Sequence, residues 1–286
     1  QKGFAVSSAI FGCILGVMVS GNLADKVGRK KALLLTAVLF SISAIASALA
    51  SSYLFFVMAR IIGGIGVGAA SMLSPLYISE ISPANKRGAM VTLYQLAIVL
   101  GINIVFFFNY KVAQYNTEIW NVNYGWRYMV GSEVLPALLF FVALLVVPES
   151  PRWLLRKGRK EEALEVLTNI NGKSQAIKVL KEIDLALKKE KGTFKELFEP
   201  GLRMAMFIGV FLALFSQITG INAIMYYAPE ILKSAGFGVD SALLQTVIIG
   251  IVNTIFTFIA IKYIDKLGRR SLSLIHISEP TRQWQI

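Results

Sequence analysis

Seven apolar runs, residues 4–21, 32–50, 54–78, 89–108, 128–148, 204–228 and 242–261, set the rhythm of the chain, and polar residues gather between them. Each run holds about 18–25 residues, enough at ~1.5 Å of rise per residue to cross roughly 30 Å of hydrocarbon. Lipid offers the backbone no hydrogen-bond partners, so spans of this length are predicted to be helices. The alternating ten-residue pattern of a membrane barrel is absent. The expected fold class is an all-α polytopic membrane protein with seven transmembrane helices in this chain.

Composition sharpens that picture. Of 286 residues, 55% are hydrophobic and 16% charged, whereas soluble domains run about a quarter charged; the mean hydropathy is +0.62. One cysteine, Cys13, and one histidine, His276, rule out a disulfide framework, a cysteine zinc site and most histidine-based acid–base chemistry. No metal, cofactor or covalent catalysis is expected. The net charge of +12 suits either nucleic acid or a membrane protein with basic loops, and position decides between them. Connections 22–31, 79–88, 149–203 and 262–270 carry 23 Lys and Arg, whereas the others carry three: Lys111, Arg127 and Lys233. The first set is therefore expected in the cytoplasm, in a multi-pass protein of the cell (inner or plasma) membrane. Basic charge is then a topology signal, and no nucleic-acid partner is expected.

With this parity Gln1 lies outside, and a chain opening so, without Met, looks truncated. Residues 273–286 start like a span and then turn polar, and they are expected to be a non-native tail without function, His276 included. Between spans five and six, residues 156–199 place apolar positions at helical spacing, namely Ala163, Leu164, Leu167, Ile170, Ile177, Leu180, Ile183 and Leu187. They predict short amphipathic cytoplasmic helices.

An internal repeat carries the next step. Asp25-Lys-Val-Gly-Arg-Lys30 follows the first span and Asp265-Lys-Leu-Gly-Arg-Arg270 the seventh, so six spans make one period. The pattern reads as a tight helix–helix turn with glycine at a left-handed position and cations at the lipid surface. Parallel repeats of six helices are how many secondary transporters are built.

These two loops resemble the signature of the major facilitator superfamily. Its sugar porter branch is resembled by Arg60-Ile-Ile-Gly-Gly-Ile-Gly-Val-Gly68, the stretch from Pro75 through Glu80 to Arg87-Gly88, and Gly125-Trp126-Arg127. Pro148-Glu-Ser-Pro-Arg152-Trp-Leu and Gln217-Ile-Thr-Gly-Ile-Asn222 with Tyr226-Tyr227 do the same. The resemblance covers about residues 3–271. It implies two six-helix bundles, of whose twelve spans this chain holds the second to the eighth. Residues 1–148 would be a first bundle lacking one span, 149–203 a cytoplasmic helical linker, and 204–272 the start of a second bundle.

Polar side chains inside a bilayer are costly, so each is a candidate for function. Gln95 lies mid-span, Gln217, Asn222 and Tyr226 crowd one span, and Asn253 sits in the last. Amides offer donors and an acceptor to an uncharged polyhydroxylated ligand, and the resemblance implies a monosaccharide-binding role for all five. Interhelical hydrogen bonds or ordinary packing would explain the same residues. Asn222 and Tyr226 share a helical face, but Gln217 stands about 140° away, so one pocket uses all three only if the helix unwinds near Gly220. The branch often has a Gln pair where this chain has Ser216-Gln217, which leaves the substrate's identity open.

Two ions lie inside spans at equal depth. Arg60 and Glu133 sit six and five residues into spans that both enter from outside, and opposite charges at one depth in low dielectric should pair. The pair is read as structural or as part of proton coupling. Asp25, Arg29, Lys30, Glu80, Arg87, Glu149, Arg152, Asp265, Arg269 and Arg270 cluster at cytoplasmic helix ends. The resemblance implies a charge network there that holds the bundles together in the outward-open state. Gly64-Ile-Gly66-Val-Gly68-Ala69 matches a loose dinucleotide pattern, but inside a span its spacing lets helices approach closely. The expected function is secondary active or facilitative transport of a monosaccharide by alternating access, with protons as a possible second substrate and a monomer as the working unit. A seven-span receptor and a channel are the alternatives from other classes.

Overall fold

The computed structural model describes residues 2–83, 87–114, 117–189, 198, 200–236 and 244–259; for some helical residues, Ser216 and 221–226 among them, it describes the backbone alone. The second loop repeat, with Asp265, Arg269 and Arg270, and the tail 273–286 lie outside the described residues. All secondary structure among the described residues is helical.

Among the described residues five helices are long and apolar enough to cross a membrane: α1 (Lys2–Val27), α2 (Arg29–Ala48), α3 (Tyr53–Ile81), α4 (Arg87–Gln114) and α5 (Glu118–Val146). Helix α5 begins ten residues before its apolar run, at Glu118, behind an N-cap Thr117 whose side chain accepts from the Trp120 amide. It contains a π-helical turn at Asn121–Gly125 and an interruption at Ser132–Glu133. Pro136 has no N–H to return to Ser132, which suits a break there. Three shorter helices follow: α6 (Pro151–Arg156), α7 (Lys160–Asn171) and α8 (Lys173–Lys189). The sixth apolar run folds as two helices, α9 (Pro200–Ile218) and α10 (Ile221–Ser234), and the seventh as α11 (Leu244–Ile259).

The chain divides into two compact units, Gln1–Tyr94 with Tyr115–Lys189, and Gln95–Gln114 with Glu190–Ile286. The packing boundary thus falls inside α4.

In the first unit α1 lies almost in backbone contact with α3. A Cβ on Gly64 or Gly68 would fall on the carbonyl oxygens of Ala9 or Cys13, and one on Gly12 or Gly16 on those of Ile61 or Ile65. The close approach expected of Gly64 and Gly68 therefore has a matching pair on α1. A core of Ala24, Ala32, Leu33, Ala37, Leu73, Tyr77 and Leu144 fills the end of this unit where α1 meets α2. Large apolar residues such as Phe4, Met18, Leu54 and Val146 point outward, as a lipid solvent requires. Helices α6 to α8 have their own small core of Trp153, Leu154, Leu155 and Ala163, onto which Val166, Leu180, Ile183 and Leu187 pack. Ile177, expected on that inner face, is exposed, and Ala176 next to it is buried instead.

Candidate functional site

The sugar-site candidates all belong to the second unit. Gln95 sits half-buried on α4 and Gln217 exposed at the end of α9. Gly220 adopts the left-handed conformation, φ 73° and ψ 8°, where glycine carries no Cβ penalty. This ends α9 and starts α10 in a new direction, so the 140° separation of Gln217 and Asn222 on a continuous helix no longer applies. Asn222 and Tyr226 lie on the first turns of α10; their side chains, like that of Ser216, are outside the described residues. Asn253 is half-buried on α11, and its carbonyl accepts from the Thr257 hydroxyl at 2.9 Å.

Beside Asn253 the structure reveals a contact with no sequence signal beyond an amide in an apolar run. Asn103 of α4 donates through Nδ2 to Thr254 Oγ1 of α11 at 2.6 Å and to its own helix at Val99 O, 2.9 Å. A Cβ on Gly250 would fall on Asn103 Oδ1. The two helices touch where a small residue admits a buried amide.

In the first unit, Arg60 Nη1 lies 3.8 Å from Glu133 Oε1. Glu133 falls in the interruption of α5.

The end of the same unit where α1 meets α2 is a dense polar lattice built from three motifs. Arg29 donates from Nε and Nη2 to the two Glu80 oxygens, both at 3.0 Å, and from Nη1 to Asp25 Oδ1 at 2.9 Å. Glu149 Oε1 accepts from the backbone N–H groups of Arg29 and Lys30, 2.9 and 3.0 Å, and so caps the N-terminus of α2 with a negative charge. Gly28 makes room for it: φ is 103°, and a Cβ would fall on Glu149 Oε2. Ser150 donates its hydroxyl to Glu80. Lys30 is turned away from carboxylates and donates through Nζ to Leu145 O at 2.9 Å. Arg87 is exposed and has no carboxylate partner among the described residues, and Arg152 is half-buried on α6.

Residues outside the expected charge network complete this lattice. Tyr77 donates to Pro148 O at 2.6 Å, Trp153 Nε1 to Asp25 O at 3.1 Å, and Arg156 Nη1 to Asp25 Oδ1 at 2.8 Å. The last two fasten α6 to the end of α1.

Comparison with known proteins places this geometry. A family model described as "Sugar (and other) transporter" matches residues 1–278. The chain is 48% identical to the arabinose-proton symporter of Bacillus subtilis over 96% of its own length and 60% of that protein's. It is 43% identical to the D-xylose-proton symporter of Escherichia coli over 96% and 59%. Among solved structures, the major facilitator superfamily proton:xylose symporter XylE bound to 6-bromo-6-deoxy-D-glucose superposes with a TM-score of 0.82 at 42% identity, over 96% of this chain and 61% of that one. XylE from E. coli in a partially occluded inward-open conformation superposes equally well, with a TM-score of 0.82. The chain therefore spans about 60% of the length of the curated relatives it matches.

Proposed function

The chain belongs to the sugar transporter family and has the major facilitator fold, and on that premise we propose that the intact protein moves a monosaccharide across the membrane together with protons. The family match argues against a seven-span receptor.

The observation that carries this reading is the interruption at Gly220. Discontinuous helices expose backbone groups and several side-chain faces to one cavity, which is where secondary transporters bind their substrates. Gln217, Asn222 and Tyr226 flank the interruption, and Gln95 and Asn253 belong to the same unit. Amides and a phenol form hydrogen bonds to sugar hydroxyls without a charge to balance. Two relatives are named for pentoses, arabinose and xylose, and these are the first substrates to try. We assign proton coupling to Arg60 and Glu133, a carboxylate that exchanges a proton beside a fixed cation. Residues 1–148, 149–203 and 204–272 are then first bundle, cytoplasmic linker and start of the second bundle. Loops 22–31, 79–88, 149–203 and 262–270 face the cytoplasm.

Counterflow of labelled arabinose and xylose in proteoliposomes of the intact protein, competed by a panel of unlabelled pentoses and hexoses, tests the substrate class. Exchange inhibited by one or a few monosaccharides is the expected result; no exchange with any of them refutes it.

A further inference from the structure

We propose that Arg127, with Gly131 one turn on, is a positioning residue for the Arg60–Glu133 pair: it seats α5 on the end of α2 and so holds Glu133 opposite Arg60. The inference rests on the proton-coupled reading above and assigns a job to the Gly125-Trp126-Arg127 motif, which that reading leaves unused.

Arg127 Nη1 donates to Ala48 O, the last residue of α2, at 2.8 Å. Its guanidinium carbon stands 4.5 Å from the centre of the Trp126 ring. No carboxylate among the described residues pairs with it. The cation is stabilised instead by the negative end of the α2 dipole and by an aromatic face. One turn further, a Cβ on Gly131 would stand 3.3 Å from the Ala48 Cβ, so α5 lies flush on the same residue. Trp126 meets Phe56 of α3 edge to face at 5.8 Å.

These contacts bear on Glu133 because α5 is irregular on both sides of them. The π-helical turn Asn121–Gly125 precedes Arg127, and the interruption at Ser132–Glu133 follows it. A π-helical turn changes the azimuth of everything after it, and contacts to neighbouring helices on either side of it hold that azimuth in place. Phe56 and Arg60 stand four apart on one face of α3, which makes Phe56–Trp126 and Arg60–Glu133 two rungs between α3 and α5. Ala48 leads through the connection 49–52 into α3, where the Ser52 side chain accepts from the Phe55 amide at 3.3 Å. Pinning Ala48 therefore pins the start of α3 as well. At 3.8 Å the ion pair is at the long end of contact, and a small rotation of α5 separates it.

The test uses the intact protein in proteoliposomes, with labelled arabinose or xylose uptake read against pH and counterflow read at equal pH on both sides. Arg127→Gln and, by a different chemistry, Gly131→Leu are each expected to lose the pH-dependent part of uptake, as Glu133→Gln does, and to keep counterflow. If Glu133→Gln loses it while both other variants retain the wild-type profile, the positioning role is wrong. Loss of counterflow along with pH dependence in both marks a merely structural role and overturns it too. If Glu133→Gln keeps the wild-type profile, the coupling assignment fails, and the seating is judged alone. In an Arg60→Cys/Glu133→Cys background, a short bis-thiosulfonate should then cross-link less after Arg127→Gln, and equal yield overturns the proposal. Where Arg127→Gln does not reach the membrane, Gly131→Leu carries each comparison.

Discussion

Arg29 and Glu80 meet through two parallel hydrogen bonds of 3.0 Å, with both side chains 5% exposed. Two such charges are held out of water only while each has the other. Glu80→Ala leaves the guanidinium with Asp25, itself half-exposed, and is expected to destabilise the first unit by about 3–5 kcal/mol. Thermal unfolding of the purified protein in detergent checks this, and an unchanged midpoint would show that the pair contributes nothing to stability.

Gly28 is a second point of failure in the same lattice. Gly28→Ala requires an alanine at a φ of 103° and displaces the Glu149 carboxylate from the start of α2. The strained backbone alone costs roughly 1–3 kcal/mol, and the lost cap adds to it. The same unfolding measurement applies, with Glu149→Gln as the partner variant. The two substitutions together should cost less than their sum, because they break one interaction.

Gln217→Ala is expected to raise the apparent KM for sugar about tenfold, the equivalent of ~1.4 kcal/mol, with membrane abundance unchanged. Gln217 stands exposed on α9 beside the Gly220 interruption, where its amide is placed to meet sugar hydroxyls. Initial uptake rates against sugar concentration decide the matter; a wild-type KM would remove Gln217 from the site.

The α4–α11 contact makes a graded prediction. Thr254→Val removes the 2.6 Å bond from Asn103 and should cost about 0.6 kcal/mol, and at most ~1.7, as interhelical bonds in membranes do. Gly250→Ala places a methyl group on Asn103 Oδ1 and should cost more. Melting midpoints in the reverse order would mean that close approach is not what the glycine provides.

Much of this architecture is legible in the residues themselves. Run length marks the spans because hydrocarbon thickness sets helix length. Equal depth anticipates the 3.8 Å approach of Arg60 and Glu133, since burial of one charge demands the other. The Gly64/Gly68 spacing marks a close approach, and its counterpart Gly12/Gly16 was there to be read. What escapes is set by long-range packing. Asn103 meets Thr254 across 151 positions of sequence, and no local period encodes that pairing. Ile177 follows the helical pattern yet faces outward, while its neighbour Ala176 is the one that is buried. The early start of α5 is hidden by its polar first turns, where Asn121 and Asn123 look like loop. Arg87 reads as a network member by its sign and place, but has no carboxylate beside it among the described residues.

Gradient-driven accumulation tests the central claim most directly. In proteoliposomes of the intact protein with an acid exterior, labelled arabinose or xylose should rise above its outside concentration and leak back when a protonophore collapses the gradient. Uptake that stops at equal concentrations on both sides, whatever the gradient, would contradict proton-coupled transport.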